Sequence, residues 1–304
     1  MKVLVTGGAG FLGRNLVGRL VEQDDQVVVL DDLSSPSPLP LPAQVILIEG
    51  SVIDPPDLGG PYDRIYHLAS PASPPRYLLD PINTLRTGGE GTRQMLELAQ
   101  MWGARLLFTS TSEIYGDPEV HPQPESYPGS VAVDSSRACY DEAKRYSEAL
   151  VYAYQRSGRH ADSRVARIFN TYGPGMDPAD GRVVPNFLVQ ALRGDPLTIF
   201  GTGDQTRSFC FVDDLIEGLM LLADSDVVIP VNIGNPEEFT INELADEVVR
   251  IVGDSGRRNA ELSEADPKRR RPDIERARTA LGWQPRVTLH EGLKVTADYF
   301  GTLV

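Results

Sequence analysis

A chain of 304 residues, 41% hydrophobic and 24% charged, can bury a sizeable core without disulfides or metal, and its composition is that of an ordinary globular protein. A net charge of −14 argues against nucleic acid or an anionic membrane as partner, and any anionic ligand must find a local basic pocket within a repulsive overall field. Two cysteines, Cys139 and Cys210, make no disulfide framework, and neither they nor the four histidines have metal-ligand spacing.

The opening MKVLVTGG reads as a short strand running straight into glycines rather than as a signal peptide. Leu12, Leu16, Leu20 and Val21 then recur at helical spacing, and Gln26–Leu30 is a second buried-strand run, so the segment predicts a βαβ unit. PSPLPLP (36–42) predicts a Pro-rich surface loop with no core to join. QVILIEG (44–50), RIYHLAS (64–70) and RLLFTST (105–111) predict further strands, with a helical pattern over 88–102 separating the last two. Such alternation argues for a parallel sheet with helices on both faces.

After about residue 170 the pattern changes. YGPGMDPADGR reads as loop, NFLVQALRG as helix, and PLTIFGTGDQTRSFCFVDD as a turn between short strands. The tail, TINELADEVVRIVG and then SEADPKRRRPDIERARTALGW, reads as mostly helical around one basic segment. The expected fold is α/β: a Rossmann-type doubly wound parallel sheet from 1–170 and about 209–234, and a smaller, mainly helical domain from 171–208 and about 235–304. No apolar run approaches the ~20 residues of a membrane span. With so few cysteines, the expectation is a soluble cytoplasmic protein.

Gly7, Gly10 and Gly13 form GxxGxxG directly between strand and helix. Glycine there permits a tight turn, close backbone approach to a pyrophosphate and close helix–strand packing, while the helix N-terminus offers free N–H groups to phosphate. Glycine triplets also occur in turns for structural reasons alone. Here the strand, the helix and an acid at the right distance accompany it. That acid is Asp31, beside Asp32; a carboxylate at this strand end accepts hydrogen bonds from the adenosine ribose and repels a 2′-phosphate. NAD is therefore expected over NADP, no arginine sitting nearby in the sequence.

RACYDEAKR (137–145) places Tyr140 and Lys144 four apart, on one face of a helix. A free phenol, with a pKa of about 10, is a poor base at neutral pH, and an ammonium on the same face is expected to lower it. Tyr140 then takes a proton from a sugar hydroxyl while hydride leaves the carbon for nicotinamide. YxxxK alone is usually a solvated helix face; after a dinucleotide loop and the strand end TSTSE (109–113) it gains chemical meaning. The KRRR run otherwise reads as a nucleic-acid signal, a weak reading in so acidic a chain.

These motifs in this order, with HLASPASPP (67–75), TSTSEIYGDPEVHPQ (109–123), RIFNTYGP (167–174), DGRVVPNF (180–187), GTGDQTRSF (201–209), NIGNPEE (232–238) and KRRRPDI (268–274), resemble the extended short-chain dehydrogenase/reductase family acting on nucleotide sugars, and within it the UDP-glucuronate decarboxylases that make UDP-xylose. The resemblance covers nearly the whole chain. It implies NAD as cofactor, held by Gly7, Gly10, Phe11, Leu12, Gly13, Asp31, Asp32, Ser51, Val52, Leu68, Ala69, Ser70, Tyr140 and Lys144. It implies a UDP-sugar acid as substrate, held by Asn170, Arg182, Val184, Asn186 and Arg207, the last a candidate for the diphosphate because its fork matches phosphate oxygens. It also implies a homodimer formed through helices that include the YxxxK helix.

The resemblance gives the catalytic roles too. Tyr140 is the C4 hydroxyl base, and Lys144 tunes it while holding the nicotinamide ribose. Thr111 and Ser112 hydrogen-bond the C4 oxygen or the carboxylate. Glu113 orders the sugar or a water near C5, and Arg270 anchors the carboxylate or assists protonation at C5. Relatives that dehydrate sugars carry an aspartate at the position of Ser112, whose hydroxyl is too weak an acid for that task. The alternatives are a 4-epimerase, a 4,6-dehydratase or, more remotely, a non-catalytic dinucleotide-binding regulator. Asn83, Gly88, Gly175 and Ser51 depart from the family's usual lysine, asparagine, arginine and aspartate, and SVAVDSSR replaces its usual loop ahead of Tyr140.

Overall fold

The structure is a computed structural model and describes residues 1–160, 162–261 and 269–304. Strand β1 (Lys2–Thr6) shows why these residues make a sheet buried on both sides. Val3 and Val5 join one apolar cluster and Leu4 another, each fully buried, as the twofold alternation of a strand demands. Helix α1 (Phe11–Glu22) packs Leu16, Val17 and Leu20 onto the first cluster and returns the chain to β2 (Gln26–Asp31).

With β3 (Ile46–Glu49), β4 (Arg64–His67), β5 (Arg105–Thr111), β6 (Ser163–Ile168) and the strand Val231–Ile233, these form a seven-stranded parallel sheet. Its order is Val231–Ile233, β6, β5, β4, β1, β2, β3. The helix Val212–Asp224 lies with α1 over one face; the helices Thr92–Trp102 and Ala138–Arg156 cover the other. The Rossmann-type doubly wound sheet expected from the sequence is thus present. Strand order reverses between β1 and β4, and a ligand crevice is expected at the carboxyl ends of the strands there.

Beyond the sheet, the helices Val183–Arg193, Ile241–Val252 and Leu289–Phe300 pack around Phe187, Leu244, Val248, Leu293 and Phe300, in the same apolar cluster that lies under α1. The core therefore runs continuously from the sheet into this second layer.

Two local expectations are corrected and one is met. The segment 36–42 does have something to join: Ser37 N–H donates to the Ala9 carbonyl at 2.7 Å, its hydroxyl donates to the Gly175 carbonyl at 2.6 Å, and Leu41 packs on the core. The turn between short strands expected over 196–214 is present, and its first two strands find partners elsewhere in the chain. Leu197–Phe200 runs parallel to Arg257–Ala260, and Thr206–Ser208 antiparallel to Glu238–Thr240, because partners from later in the chain supply the pairing. The tail is less helical than its composition suggests: Glu275–Leu281 is the helix seen near the basic run, whose Lys268, with the preceding 262–267, lies outside the described residues.

One family departure has a packing reason. A Cβ at Gly88 would stand 2.6 Å from Ala143 Cβ, so glycine lets the Thr87–Gly91 turn press against the helix carrying Tyr140 and Lys144. Ser147 Oγ donates to the Gly88 carbonyl at 2.8 Å and fixes that approach.

Candidate active site

Every residue expected from the sequence to bind cofactor or substrate, or to do chemistry, lines one cavity of about 1220 Å³ at the carboxyl ends of the strands. Five strands deliver their following residues to it: β1 the glycines, β2 Asp31, β4 Leu68–Ser70, β5 Thr111–Glu113, and β6 Asn170.

The glycine turn is shaped by contact. A Cβ at Gly13 would lie 2.0 Å from the Gly7 carbonyl oxygen, and one at Gly7, where φ is +70°, would lie 2.7 Å from Ala69 N. At Gly10 the nearest atoms to such a Cβ are the Gly7 and Ser35 carbonyl oxygens, at 3.4 and 3.9 Å, so a side chain there would fill the cradle that a pyrophosphate needs. These residues fit a dinucleotide.

Asp31 takes Ala9 N–H and Leu33 N–H, each at 2.9 Å, one on each oxygen. It first ties the glycine turn to β2 and keeps lone pairs for a ribose; burial pushes its pKa up. Asp32 takes the amide and hydroxyl of Ser34, and Ser51 accepts from Ile53 N–H. The expectation of no nearby arginine is corrected, since the fold brings two from elsewhere in the chain. Arg76 Nη1 donates to the Ser34 carbonyl at 3.4 Å, and the buried Arg14 feels the charge of Asp31.

Tyr140 and Lys144 are both buried on the helix Ala138–Arg156. Lys144 Nζ donates to the Thr109 carbonyl at 2.8 Å and lies 5.9 Å from the Tyr140 ring centroid. Burial pushes the phenol up to about 12, with the nearby Thr111 hydroxyl acting the other way, and burial also pulls the ammonium down to about 7. The protein alone therefore raises the phenol rather than lowering it as expected, because desolvation dominates and also pulls the ammonium down. Tyr77, which the sequence reading missed, stacks on Tyr140 with ring centroids 5.2 Å apart and planes within 8°.

The Thr111 hydroxyl accepts Glu113 N–H at 3.2 Å and caps the tight turn Ser112–Tyr115, which aims Glu113 into the cavity. Two guanidiniums meet that carboxylate. Arg270 engages both oxygens, with Nη2 to Oε2 at 2.8 Å, and Arg137 Nη2 donates to Oε2 at 2.9 Å. Burial alone would raise Glu113, but Arg270 and then Arg137 override it and hold it well below the usual carboxylate range, at about 2.

Glu113's contribution to stability is fully present above its ordinary 4.5 and is lost as pH falls through about 2. Chemical-denaturation midpoints between pH 4.5 and 2 are therefore expected to fall less steeply in Glu113→Gln than in the parent chain, by the slope of one titrating proton.

Arg137 was not found from the sequence. Its one signal is a place one helical turn before Tyr140, and nothing local says that its fork meets a carboxylate 24 residues upstream. Asp141, also missed, is raised to about 7 by burial and then by Glu113.

Also on the cavity wall, Arg182 is paired with Asp180 at 2.8 Å within electrostatic reach of Tyr140 and Glu113, Asn186 Nδ2 donates to the Gly181 carbonyl, and Arg207 Nη1 donates to the Thr206 carbonyl at 2.8 Å. Val184 is buried, and the Asn170 carbonyl accepts Cys210 N–H. His67 is held between the Thr6 and Thr92 hydroxyls and pulled by burial to about 3, a neutral structural imidazole. Among the described residues no group of three or more histidine, cysteine, aspartate or glutamate side chains could hold a metal ion, and no helix is long and apolar enough to cross a membrane.

Comparison with known proteins bears on this geometry. The NAD dependent epimerase/dehydratase family matches residues 3–234. UDP-glucuronic acid decarboxylase 1 of Xenopus tropicalis is 49% identical over 98% of this chain and 72% of its own length. UDP-glucuronic acid decarboxylase 5 of Arabidopsis thaliana is 48% identical over 99% of this chain and 89% of its own. Among solved structures, UDP-glucuronic acid 4-epimerase from Bacillus cereus, in complex with UDP-glucuronic acid and NAD, superposes with a TM-score of 0.90 at 28% identity, covering all of both chains. UDP-glucose 4-epimerase from Thermotoga maritima, with UDP-glucose, gives 0.91 at 30% identity, covering 100% of this chain and 99% of that one. The chain belongs to the NAD dependent epimerase/dehydratase family, and the curated relatives that share about half its residues along nearly its full length are UDP-glucuronic acid decarboxylases.

Proposed function

We propose that the protein decarboxylates UDP-glucuronate to UDP-xylose through a 4-keto sugar, recycling its NAD within each turnover. The observation that carries the reading is the buried Glu113–Arg270–Arg137 cluster opening into the same cavity as Tyr140 and Lys144. With the neighbouring Asp141 protonated, two guanidiniums against one carboxylate leave one positive charge, which suits a sugar acid and is wasted on a neutral hexose. The relatives' names agree with it.

The glycine turn, Asp31, Tyr140 and Lys144 would hold NAD, which would supply the reversible hydride acceptor that C4 needs. Tyr140 takes the C4 hydroxyl proton, and Lys144 holds the ribose beside it. The new ketone lies β to the carboxylate, so the C5–C6 bond can break with its electron pair passing into the enolate as carbon dioxide leaves. Arg270 and Arg137 hold the carboxylate, and Glu113 repels it as it departs and orders a water beside C5. That water gives C5 its proton and is reprotonated from solvent, and Tyr140 gives its proton back to the C4 oxygen as the ketone is reduced again. Ser112 is too weak an acid to drive loss of a hydroxyl, which disfavours dehydration.

Incubation of the purified protein with NAD and UDP-glucuronate is expected to release one carbon dioxide per nucleotide pentose formed. A product that is a uronic-acid epimer, with no carbon dioxide, would replace this reading with 4-epimerisation.

The partners are a UDP-sugar acid and a second copy of the chain, and the setting is the reducing cytoplasm, where two free, buried cysteines stay reduced. The exposed apolar residues Leu79, Ile82, Leu85 and Tyr146, on and beside the helices Pro81–Arg86 and Ala138–Arg156, support a twofold helical interface. Light scattering is expected to give twice the 33.3 kDa chain mass, and Ile82→Glu to shift it to the monomer.

A further inference from the structure

The loops that follow β2 and β4 touch each other. Because β1 lies between those strands, the contact spans the glycine turn that leaves β1. Arg76 makes it, reaching from the loop after β4 to the Ser34 carbonyl at 3.4 Å, while its other terminal nitrogen stands 3.8 Å from Asp177 Oδ2. Ser37 ties the same β2 loop to the Ala9 and Gly175 carbonyls. Ser34, Ser35 and Arg76 all line the cavity that holds the glycine turn.

Other cations around that cavity are closely engaged: Arg137 and Arg270 by Glu113, Arg182 by Asp180, Lys144 by the Thr109 carbonyl. Arg76 has two long contacts and a side chain 44% exposed, so little holds it where it is.

We propose that Arg76 is a strap over the bound dinucleotide. Its guanidinium crosses from one loop to the other above the glycine turn, takes the cofactor's diphosphate as its partner, and must swing aside before the dinucleotide enters or leaves. The proposal rests on the cofactor reading above. A planar fork is suited to phosphate oxygens. A residue that closes behind a ligand acts chiefly on its departure, since affinity differences within one site lie mostly in the off-rate.

The test is a chase of radiolabelled NAD from the full-length protein by excess unlabelled NAD, in the parent chain, Arg76→Ala and Arg76→Lys, with melting of the NAD-free proteins followed in parallel. Arg76→Ala is expected to release label at least tenfold faster than the parent. Arg76→Lys, which keeps the charge and loses the fork, is expected to fall between them, with all three NAD-free proteins melting together. Equal release rates for parent and Arg76→Ala would overturn the strap. So would faster release that tracks a lowered melting point and appears equally in Arg76→Lys. A parent protein that holds no NAD at all would overturn the cofactor reading itself.

Discussion

Tyr140→Phe is expected to lower turnover by about 10²–10⁴-fold, the usual range for losing a positioned proton-transfer group. The substitution keeps the ring, and so keeps the stack against Tyr77 and the packing of a buried helix position. It removes only the oxygen proposed to take the C4 proton. Arg137, Arg270 and Arg207 are untouched, so the dissociation constant of UDP-glucuronate, measured by calorimetry, is expected to stay within a few-fold while kcat falls. The same variant is expected to lose the pH dependence that ionisation of the phenol imposes on kcat. A variant keeping a tenth or more of parental turnover would remove Tyr140 from the role of base.

Glu113→Gln is the second large effect, with an expected loss of at least 10²-fold in carbon dioxide release. Glutamine preserves shape and can still accept one hydrogen bond, but it leaves two guanidiniums facing each other across a neutral group in a buried site. Arg270→Ala is expected to do similar damage from the other side, by stranding a carboxylate that is held near 2 by that guanidinium. If the two act as a unit, the double variant is no slower than the worse single one, because each substitution alone already dismantles the pair. Full additivity in the logarithm of kcat would instead mean that Glu113 and Arg270 serve separate steps.

Much of this architecture is legible in the sequence because it is local. The run from β1 through the glycines and α1 to Asp31 declares itself by twofold and then helical spacing within about thirty residues, and Tyr140 and Lys144 share a face by helical geometry alone. What stays illegible is long-range. Nothing in SSRAC says that Arg137 will grip Glu113, and nothing in SPPRY says that Arg76 will reach Ser34 across an intervening strand. The Pro-rich stretch reads as solvent-bound because composition describes what a loop cannot bury and is silent on the carbonyls it can find; Ser37 finds two. The ionisation of Tyr140 could not be read either. Spacing reveals the ammonium four residues away, whereas the burial that raises the phenol is a property of the assembled cavity.

The carboxylate of Glu113 meets its tightest partner 157 positions further along the polypeptide. Synthesis proceeds from the amino end, so the sheet, the glycine turn and the tyrosine helix all emerge from the ribosome before Arg270 exists. Until then the growing chain has an acid in its interior balanced by Arg137 alone. A chain stopped before Arg270 thus has the proposed proton-transfer pair without the proposed anchor for a sugar acid.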